Sequence, residues 1–474
     1  MKKALLALLL GVTGLAQADA PVHPHALQLL DTWLSAQQTY LKLPSLSVAV
    51  QHGEAPVWSR GYGHIDLARK LPATGQSIYG ICSISKLFTT VAVLQQVDAG
   101  RFKLDDPIEP LVPGLKLPAF DAASGPVTVR SLLTHSGGLA REAAVPYWAG
   151  PPFRFPDRAA LLAAVPPAFM PVGERMQYSN LGMALLGEAV AQAAGLPYAS
   201  WVQQRILTPL GMKDSAVGLP AERLGTQLSQ AWSAVDRQGK RQPLPVYDAA
   251  AMAPSAGLSA SMEDLARFAA WQFRVMRTGQ AELLQAASLR EMQRVQWRDP
   301  DGKRMRGLGY RISEEEGEPV LMHDGQCPGQ LTELVLLPKQ RLALALGLSG
   351  NENTWIDTML GKPARDLLRM GLKLPAPDAA ADARLADYVG RYDDQPWSSE
   401  ITVLPWGAQL LMLTLPSADP AGDLQRLTPV GPDRFRVERE DGSLAEEVRF
   451  ERDAQGRVKR FVVWDQPTPR FKKP

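Results

Sequence analysis

Two residues near the start of an apolar segment, Ser83 and Lys86, are spaced for nucleophilic chemistry. They are three positions apart, so on a helix both side chains lie on one face within reach of each other. A serine hydroxyl is a weak nucleophile that needs a neighbouring base, and a lysine whose pKa is lowered by burial can supply that base. The helix N-terminus adds positive potential where an oxyanion would form. The spacing therefore predicts acyl transfer through Ser83.

Two further motifs could complete such a site. Tyr178-Ser179-Asn180 precedes a predicted helix. A tyrosine near a lysine can relay protons, and an asparagine amide can donate a hydrogen bond to a substrate carbonyl. His323-Asp324-Gly325 precedes a predicted strand over residues 330–337. An edge strand there could hold an extended substrate by main-chain hydrogen bonds.

In this order, the three motifs resemble those of the serine β-lactamase and penicillin-binding-protein superfamily, and most of all its class C-like branch. The resemblance extends over roughly residues 27–370 and includes several shorter phrases, which are Leu104-Asp105-Asp106-Pro107, Ser131-Leu132-Leu133-Thr134-His135-Ser136-Gly137-Gly138-Leu139, Pro209-Leu210-Gly211-Met212 and Ser255-Ala256-Gly257-Leu258-Ser259. It implies an α+β domain with an antiparallel sheet flanked by helices. The segment from Leu385 to Tyr392 resembles the start of the lipocalin-like domain often appended to such enzymes.

The resemblance also implies a role for each motif residue. Ser83 would attack a carbonyl and become acylated, while Lys86 and Tyr178 would share the roles of general base and proton relay. Asn180 would hold the substrate amide.

The third motif would supply the substrate-binding strand, with His323 and Gly325 in it. The backbone N–H groups of Ser83 and Gln326 would form the oxyanion hole. No metal and no cofactor belongs to this chemistry. The expected partner is a small molecule: a β-lactam, a D-amino-acid peptide or an ester.

The third motif departs from the Lys-Thr-Gly of most β-lactamases. A histidine is mostly neutral at pH 7 unless a carboxylate raises its pKa, and Asp324 adds negative charge where an anionic substrate would bind. The departure favours esterases and D-amino-acid peptidases. If a charged His323 holds an anion, kcat/KM for an anionic substrate should fall as the pH rises through the imidazole pKa.

The chain has two cysteines, Cys82 just before the nucleophile and Cys327 two residues after Gly325. Some class A carbapenemases of the resembled superfamily carry a disulfide between these two places. The resemblance therefore implies a Cys82–Cys327 disulfide, and the alternative is a pair of buried free thiols. The cysteine placement also makes carbapenems the first β-lactams to test.

Three functions are consistent with these motifs. The first is a periplasmic serine hydrolase that opens β-lactams through a Ser83 acyl-enzyme. The second keeps the nucleophile but acts on a D-amino-acid peptide or a small ester. The third is a non-catalytic sensor that is acylated without turnover, with the C-terminal barrel as its interaction module.

The N-terminal residues are typical of a secretory signal peptide. Met1-Lys2-Lys3 precedes an apolar run over residues 4–15, and Ala16-Gln17-Ala18 supplies small residues at the cleavage positions. A bilayer-spanning helix needs about 20 apolar residues, so the run is too short to span one in the mature protein. The sequence predicts a signal peptide over residues 1–18, export to the periplasm and no stable membrane anchor.

Composition narrows the remaining classes of function. Lys and Arg number 51 against 49 Asp and Glu, and this net charge of +2 gives no reason to expect a nucleic-acid partner. A hydrophobic fraction of 45% suits a globular protein. Two cysteines exclude a disulfide scaffold and a four-cysteine zinc site. His23 and His25 are typical of a solvated arm rather than of a metal site.

Hydrophobic periodicity predicts the elements that position the motifs. Within residues 19–370, strands are predicted near both ends and helices between them. This order predicts one α+β domain over these residues. Residues 371–384 are rich in Ala, Pro and Asp and are predicted to be a linker. Short alternating strands over residues 385–474 predict a small antiparallel barrel. The predicted helices of the first domain lie over residues 26–41, 83–99, 181–195, 262–277 and 355–370, and its strands over residues 46–50, 56–62, 330–337 and 341–348.

Overall fold

The computed structural model describes residues 22–118, 120–121, 123–350 and 355–471, so the predicted signal peptide lies outside it. As predicted, the fold is α+β: a large antiparallel sheet lies between layers of helices and is followed by an antiparallel barrel. In this part of the chain, no helix is both long enough and apolar enough to cross a bilayer.

The helices and strands are numbered here in chain order. The helices are α1 Pro24–Tyr40, α2 Ser85–Asp98, α3 Val129–Leu133, α4 Arg158–Ala163, α5 Asn180–Ala194, α6 Tyr198–Val202, α7 Ala253–Ala256, α8 Met262–Thr278, α9 Ala286–Gln293, α10 Lys362–Leu372 and α11 Ala379–Leu385. The strands are β1 Ser45–His52, β2 Ala55–Asp66, β3 Leu71–Pro72, β4 Ile78–Gly80, β5 Ala216–Val217, β6 Ala231–Trp232, β7 Pro243–Leu244, β8 Leu258–Ser261, β9 Trp297–Arg298, β10 Met305–Arg306, β11 Arg311–Glu315, β12 Glu318–Cys327, β13 Gln330–Leu337, β14 Leu342–Ser349, β15 Gly390–Tyr392, β16 Glu400–Trp406, β17 Gln409–Leu415, β18 Gln425–Gly431, β19 Arg434–Glu438, β20 Leu444–Arg452, β21 Val458–Val463 and β22 Gln466–Pro469.

The large sheet joins the two ends of the first domain. Among the described residues its strand order is β3-β2-β1-β14-β13-β12-β11-β10-β9. Strand β1 pairs antiparallel with β14, from Ser45 opposite Ser349 to His52 opposite Leu342. The strands at the centre are buried along almost their whole length, which explains their nearly continuous apolar sequences.

Strands β1 and β14 carry side chains of different size on their two faces. Ala49 and Ala345 belong to the core under α2, α5 and α8, whereas Val48 and Leu346 point to the opposite core with α1 and α10. Because successive side chains of a strand point to opposite faces, the alternation sets both layers. Small residues on one face let the buried helices approach the sheet closely.

Helix α2 lies inside the first of these cores. Its residues from Ser85 to Leu94 are buried on every side, which is why the segment is apolar all round. Phe88 of α2 stacks on Phe268 of α8 with ring centroids 4.4 Å apart. The packed surroundings of α2 fix the helix that follows the turn at Cys82–Ile84.

The C-terminal strands β15–β22 form a meander of eight strands in sequence order. A bridge between Tyr392 and Arg470 brings the first and last strands together, and the Phe471 N–H donates to the Arg391 carbonyl at 2.9 Å. Aromatic side chains fill the interior; they are Tyr388, Tyr392, Phe435, Phe450 and Phe461. The antiparallel barrel is therefore confirmed, and its likeness to lipocalins stays a prediction.

The barrel packs on α1, on the side of the sheet opposite α2. The Trp33 indole N–H donates to the Ser417 carbonyl at 2.9 Å. The Gly407 N–H donates to His25 Nδ1 at 3.0 Å, and the His25 N–H donates to His23 Nδ1 at 3.1 Å. The two histidines predicted to form a solvated arm are thus buried, one at the cap of α1 and the other against the barrel.

The segment predicted as a linker contains ordered helix. Helix α10 continues to Leu372, and α11 occupies Ala379–Leu385. Asp378 caps α11 by accepting a hydrogen bond from the Ala380 N–H at 2.9 Å. The sequence of α11 is too short for periodicity to reveal it, but alanine favours helix and an aspartate at the N-cap stabilises its first turn.

Candidate active site

Ser83 lies in a tight 3-10 turn, Cys82–Ile84, immediately before α2 begins. The turn is tied to the sheet by two side chains of β13. The Thr332 hydroxyl donates to the Ile81 carbonyl at 3.1 Å, and the Gly80 N–H donates to Gln330 Oε1 at 2.7 Å. The position of Ser83 is therefore set by hydrogen bonds from a central strand and not by α2 alone.

Gly325 allows the third motif to approach this turn. A Cβ at Gly325 would lie 2.2 Å from the Ile81 carbonyl oxygen and 2.3 Å from Thr332 Oγ1. Real atoms do not come this close, so any side chain here would push β12 away from Ser83. The glycine predicted to bind substrate is thus explained by close contact between two protein segments.

The disulfide implied by the family resemblance is confirmed, linking Cys82 to Cys327 with their Cα atoms 5.7 Å apart. Cys82 has a φ of +52°, an unusual backbone conformation for a non-glycine residue. The bond joins the residue before Ser83 to the residue after Gln326. It therefore ties the nucleophile turn to the strand that carries the expected second oxyanion donor.

We expect the double variant Cys82→Ser/Cys327→Ser to fold but to turn over slowly. Losing the disulfide should lower the free energy of unfolding by about 2–4 kcal/mol. Looser spacing between Ser83 and Gln326 should lower kcat by about 10- to 100-fold. Denaturant unfolding and steady-state kinetics check the two effects. An unchanged kcat would show that the hydrogen bonds of β13 hold the turn without the disulfide.

Lys86 is completely buried, and its amine contacts the Ser83 hydroxyl. Its Nζ lies 3.1 Å from Ser83 Oγ and donates to the Ser255 carbonyl at 2.7 Å. Burial lowers the pKa of Lys86 well below its ordinary value, although the carboxylates of Glu142 and Asp324 act in the opposite direction. A lysine held in this way carries a free lone pair at a lower pH than an exposed lysine does.

Tyr178 lies on the other side of this amine. Its ring centroid is 4.8 Å from Lys86 Nζ, and the ring packs against His135 at 4.4 Å. Burial raises the pKa of Tyr178, and a hydrogen bond with Ser83 only partly offsets that effect. The phenol thus keeps its proton at neutral pH and can donate it.

The side-chain nitrogen and oxygen of Asn180, at the start of α5, have different surroundings. Its Nδ2 donates to Glu142 Oε1 at 2.6 Å, whereas its buried Oδ1 has no hydrogen-bond partner among the described residues. Tyr147 donates to the second oxygen of the same carboxylate. The side-chain oxygen is thus the Asn180 group left without a partner among the described residues, and the prediction that Asn180 holds the substrate amide stays a prediction.

His323 is buried rather than poised to carry charge. Burial lowers its pKa well below the ordinary value, and the positive charges of Lys86, Arg306 and Arg311 act in the same direction. Its Nδ1–H donates to the Asp324 carbonyl at 2.8 Å, and Nε2 has no hydrogen-bond partner in the described part of the chain. A lowered pKa favours the neutral imidazole at pH 7, and the hypothesis that a positive His323 holds an anion stays a prediction.

The Asp324 carboxylate is balanced by a neighbouring cation. Arg311 Nη2 lies 3.9 Å from Asp324 Oδ1 and 3.5 Å from Asp357 Oδ2. Asp357 in turn forms an ion pair with the buried Arg365 at 2.5 Å. The negative charge that the third motif adds is thus held in an ionic network along one wall of the site.

These residues line one cleft of about 1290 Å³. Ser83, Tyr178, Asn180, His323 and Gln326 all contribute to its surface, whereas Lys86 lies beneath it. Among the described residues, those that line the cleft all come from the first domain. The arrangement brings a hydroxyl, a buried amine, a phenol and an amide oxygen to one place, as acyl transfer requires.

A family model described as beta-lactamase matches residues 30–369. The chain belongs to the beta-lactamase family. It is similar to the D-alanyl-D-alanine-carboxypeptidase/endopeptidase AmpH of Escherichia coli K12, with 28% identity over 303 residues, which is 60% of this chain and 74% of that protein. It is also similar to a beta-lactamase of Pseudomonas fluorescens, with 28% identity over 249 residues, which is 51% of this chain and 63% of that protein.

A solved structure supports the family fold over most of the chain. The octameric penicillin-binding protein homologue from Pyrococcus abyssi superposes with a TM-score of 0.63 at 23% identity. The match covers 90% of this chain and 96% of the other. At this identity the likeness concerns the fold alone. The family match and the relatives support a serine hydrolase of the beta-lactamase superfamily.

Sequence reasoning missed several groups that shape the site. Glu142 holds Asn180, the Ser255 carbonyl holds Lys86, and Arg141 lies over the Tyr178 ring at 5.0 Å. Arg141 and Glu142 follow the Ser136 to Leu139 phrase in a loop without periodicity. Their charges were the available signal, but only the fold shows which way a loop side chain points.

Proposed function

We propose that the protein hydrolyses its substrate through an acyl-enzyme formed at Ser83. One observation carries the proposal: a completely buried lysine amine, with its pKa lowered by burial, lies 3.1 Å from the Ser83 hydroxyl oxygen. A neutral amine at this distance can remove the proton as the oxygen attacks. A protonated lysine buried for structural reasons alone would need a carboxylate partner.

The reaction then follows from the side chains around the nucleophile. Lys86 Nζ takes the Ser83 proton while Oγ bonds to the substrate carbonyl carbon. The N–H groups of Ser83 and Gln326 stabilise the oxyanion, and such a donor is typically worth about 100-fold or more in rate. The carbon–nitrogen bond then breaks, and the Tyr178 phenol protonates the leaving nitrogen as it recovers a proton from Lys86. Water, deprotonated by the same pair, hydrolyses the ester and restores the Ser83 hydroxyl.

The leading substrates are β-lactams, with carbapenems first. The family match and the Cys82–Cys327 disulfide support this choice. We expect the wild type to hydrolyse imipenem or nitrocefin, measured by absorbance, and Ser83→Ala to hydrolyse neither. Intact mass should show an adduct that forms and decays on the wild type. Failure of the wild type to open either lactam would exclude the β-lactamase activity.

A D-amino-acid carboxypeptidase is the second candidate. It is favoured by the neutral His323 in the position of the usual lysine and by the similarity to a D-alanyl-D-alanine carboxypeptidase. Release of D-alanine from a D-Ala-D-Ala peptide without lactam turnover would support it. A stable penicillin adduct on Ser83 without turnover of any substrate would instead support an acylated sensor.

We also propose that the protein acts in the periplasm. The disulfide supports this location, because such bonds persist in oxidising compartments and are rare in the cytosol. The predicted signal peptide agrees with it. Fractionation of cells that express the full chain should place the activity with periplasmic markers, and residues 1–18 should be absent from the mature mass.

A further inference from the structure

His135 carries a polar side chain at a position where the backbone favours glycine. It follows α3, whose last turn closes as the His135 N–H donates to the Leu132 carbonyl at 3.1 Å and the Ser136 N–H donates to the Ser131 carbonyl at 2.8 Å. Its φ of +59° lies in the left-handed region, where the residue after a helix is usually glycine. A histidine is uncommon in this conformation, which points to a role for its side chain.

His135 holds both chain neighbours of Tyr178. The Gln177 N–H donates to the His135 carbonyl at 2.7 Å, and the Ser179 N–H donates to His135 Nδ1 at 3.2 Å. The imidazole also packs on the Tyr178 ring, with the ring centroids 4.4 Å apart and 36° between the planes. One residue therefore fixes the backbone on each side of the phenol and contacts the ring itself.

The contact with Ser179 depends on the protonation of the imidazole. Nδ1 can accept the Ser179 N–H only in the neutral ring that carries its proton on Nε2. His135 is buried, and burial lowers its pKa well below the ordinary value. The positive charges of Arg306, Lys86 and Arg141 act in the same direction. These surroundings keep Nδ1 free to accept.

The position of the phenol matters for one step of the proposed reaction. Tyr178 protonates the leaving nitrogen in that reaction, and a hydroxyl can do so only within hydrogen-bond distance of the atom. A misplacement of about 1 Å can cost about 100-fold in rate. A residue that fixes the backbone on both sides of Tyr178 therefore has a direct effect on how fast the leaving group departs.

We propose that His135 is a positioning residue that holds the Tyr178 phenol for proton donation to the leaving group. The inference rests on the proposed function and adds a residue to its leaving-group step. It concerns substrates in which a carbon–nitrogen bond breaks, because an amine leaving group must gain a proton. A p-nitrophenolate leaves without one, so p-nitrophenyl butyrate is opened independently of His135.

Two variants remove the imidazole in different ways. His135→Gly suits the left-handed backbone and removes both the acceptor and the ring, whereas His135→Asn tolerates the same φ and keeps an acceptor oxygen on the side chain. We compare kcat/KM because it covers the steps up to acylation, and the nitrogen-leaving substrates are imipenem and an acyl-D-Ala-D-Ala peptide.

We expect His135→Gly to lower kcat/KM by about 10- to 100-fold for whichever nitrogen-leaving substrate the wild type accepts. The value for p-nitrophenyl butyrate should stay within about threefold, because that leaving group needs no proton. His135→Asn should recover part of the loss, since it can still accept the Ser179 N–H. Nitrogen NMR of wild-type protein labelled in histidine should show His135 with the proton on Nε2.

Two controls separate a positioning role from a structural one. Ser136→Ala removes the neighbouring hydroxyl, which contacts the Thr134 hydroxyl at 2.9 Å, and it should cost stability without changing the ratio of kcat/KM between nitrogen-leaving and ester substrates. Tyr178→Phe removes the proton donor, so adding His135→Gly to it should lower kcat/KM no further. A purely structural His135 would lower kcat/KM in both backgrounds.

The outcomes distinguish this inference from the function on which it rests. The inference is overturned if His135→Gly leaves kcat/KM unchanged, if it lowers ester and nitrogen-leaving substrates equally, or if its effect persists in Tyr178→Phe. A proton on Nδ1, turnover of the butyrate ester alone, or failure of both His135 variants to fold would also overturn it. Absence of any Ser83 adduct with every substrate, or no effect of Tyr178→Phe, would instead overturn the proposed function.

Discussion

Replacing Ser83 with alanine should lower kcat by at least about 10³-fold, because the variant lacks the hydroxyl oxygen that attacks the substrate in the proposed reaction. The variant should still bind substrate, since the cleft walls are unchanged. Intact mass after exposure to a penicillin should show no adduct on Ser83→Ala and a single adduct on the wild type. An adduct of equal yield on the variant would place the nucleophile elsewhere.

Ser85 provides a matched control two residues along the chain. Its hydroxyl is buried and accepts the Leu258 N–H at 3.0 Å, so it has a structural partner and no access to substrate. Ser85→Ala should keep the adduct and lose about 1–3 kcal/mol of unfolding free energy, the cost of an unsatisfied buried donor. The Ser83 variant should therefore lose the adduct, whereas the Ser85 variant should lose only stability.

The second large effect concerns Lys86. Lys86→Met keeps the length of the side chain and removes the amine, and it should slow acylation by about 10²- to 10⁴-fold. In the wild type, the acylation rate should fall as the pH drops through the lowered pKa of Lys86, because the protonated amine cannot accept a proton. Stopped-flow acylation rates across pH check both statements. A wild-type profile flat down to the pH of unfolding would remove Lys86 from the base role.

The same lysine predicts a pH dependence of stability. Its pKa is lower in the folded protein than in the unfolded chain, so between the two values the unfolded chain binds the extra proton. As the pH falls from about 10.5 towards the folded pKa, the wild type should lose stability relative to Lys86→Met by about 1.4 kcal/mol per pH unit. Paired unfolding curves at several pH values measure this difference. A constant difference would show that the amine is charged in the folded protein.

The parts of the site that depend on local spacing were predictable from the sequence. Ser83 and Lys86 are one helical turn apart, so their contact follows from residue spacing at the start of a helix. The proximity of Cys82 and Cys327 required the family resemblance, because 245 residues separate them and no local rule connects them. The α+β class followed from the apolar strands at both ends of the first domain.

The state of each group depends on tertiary burial, which spacing does not reveal. The sequence left the charge of His323 open, and only the burial of its ring and the surrounding cations show that its pKa is lowered. The orientation of the Asn180 amide depends on Glu142, which arrives from a loop. Arg306 lies on a two-residue strand, too short for any periodic signal.

The contact between α1 and the barrel limits how the protein could be shortened. Apolar side chains of the barrel, including Leu404 and Trp406, share one core with Leu30 and Trp33 of α1. A truncation that removed the barrel would expose this apolar face to water, and exposed faces of that kind promote aggregation. The cleft-bearing domain is therefore not a minimal enzyme that can be cut free, and efforts to reduce the chain would have to redesign the outer surface of its first helix.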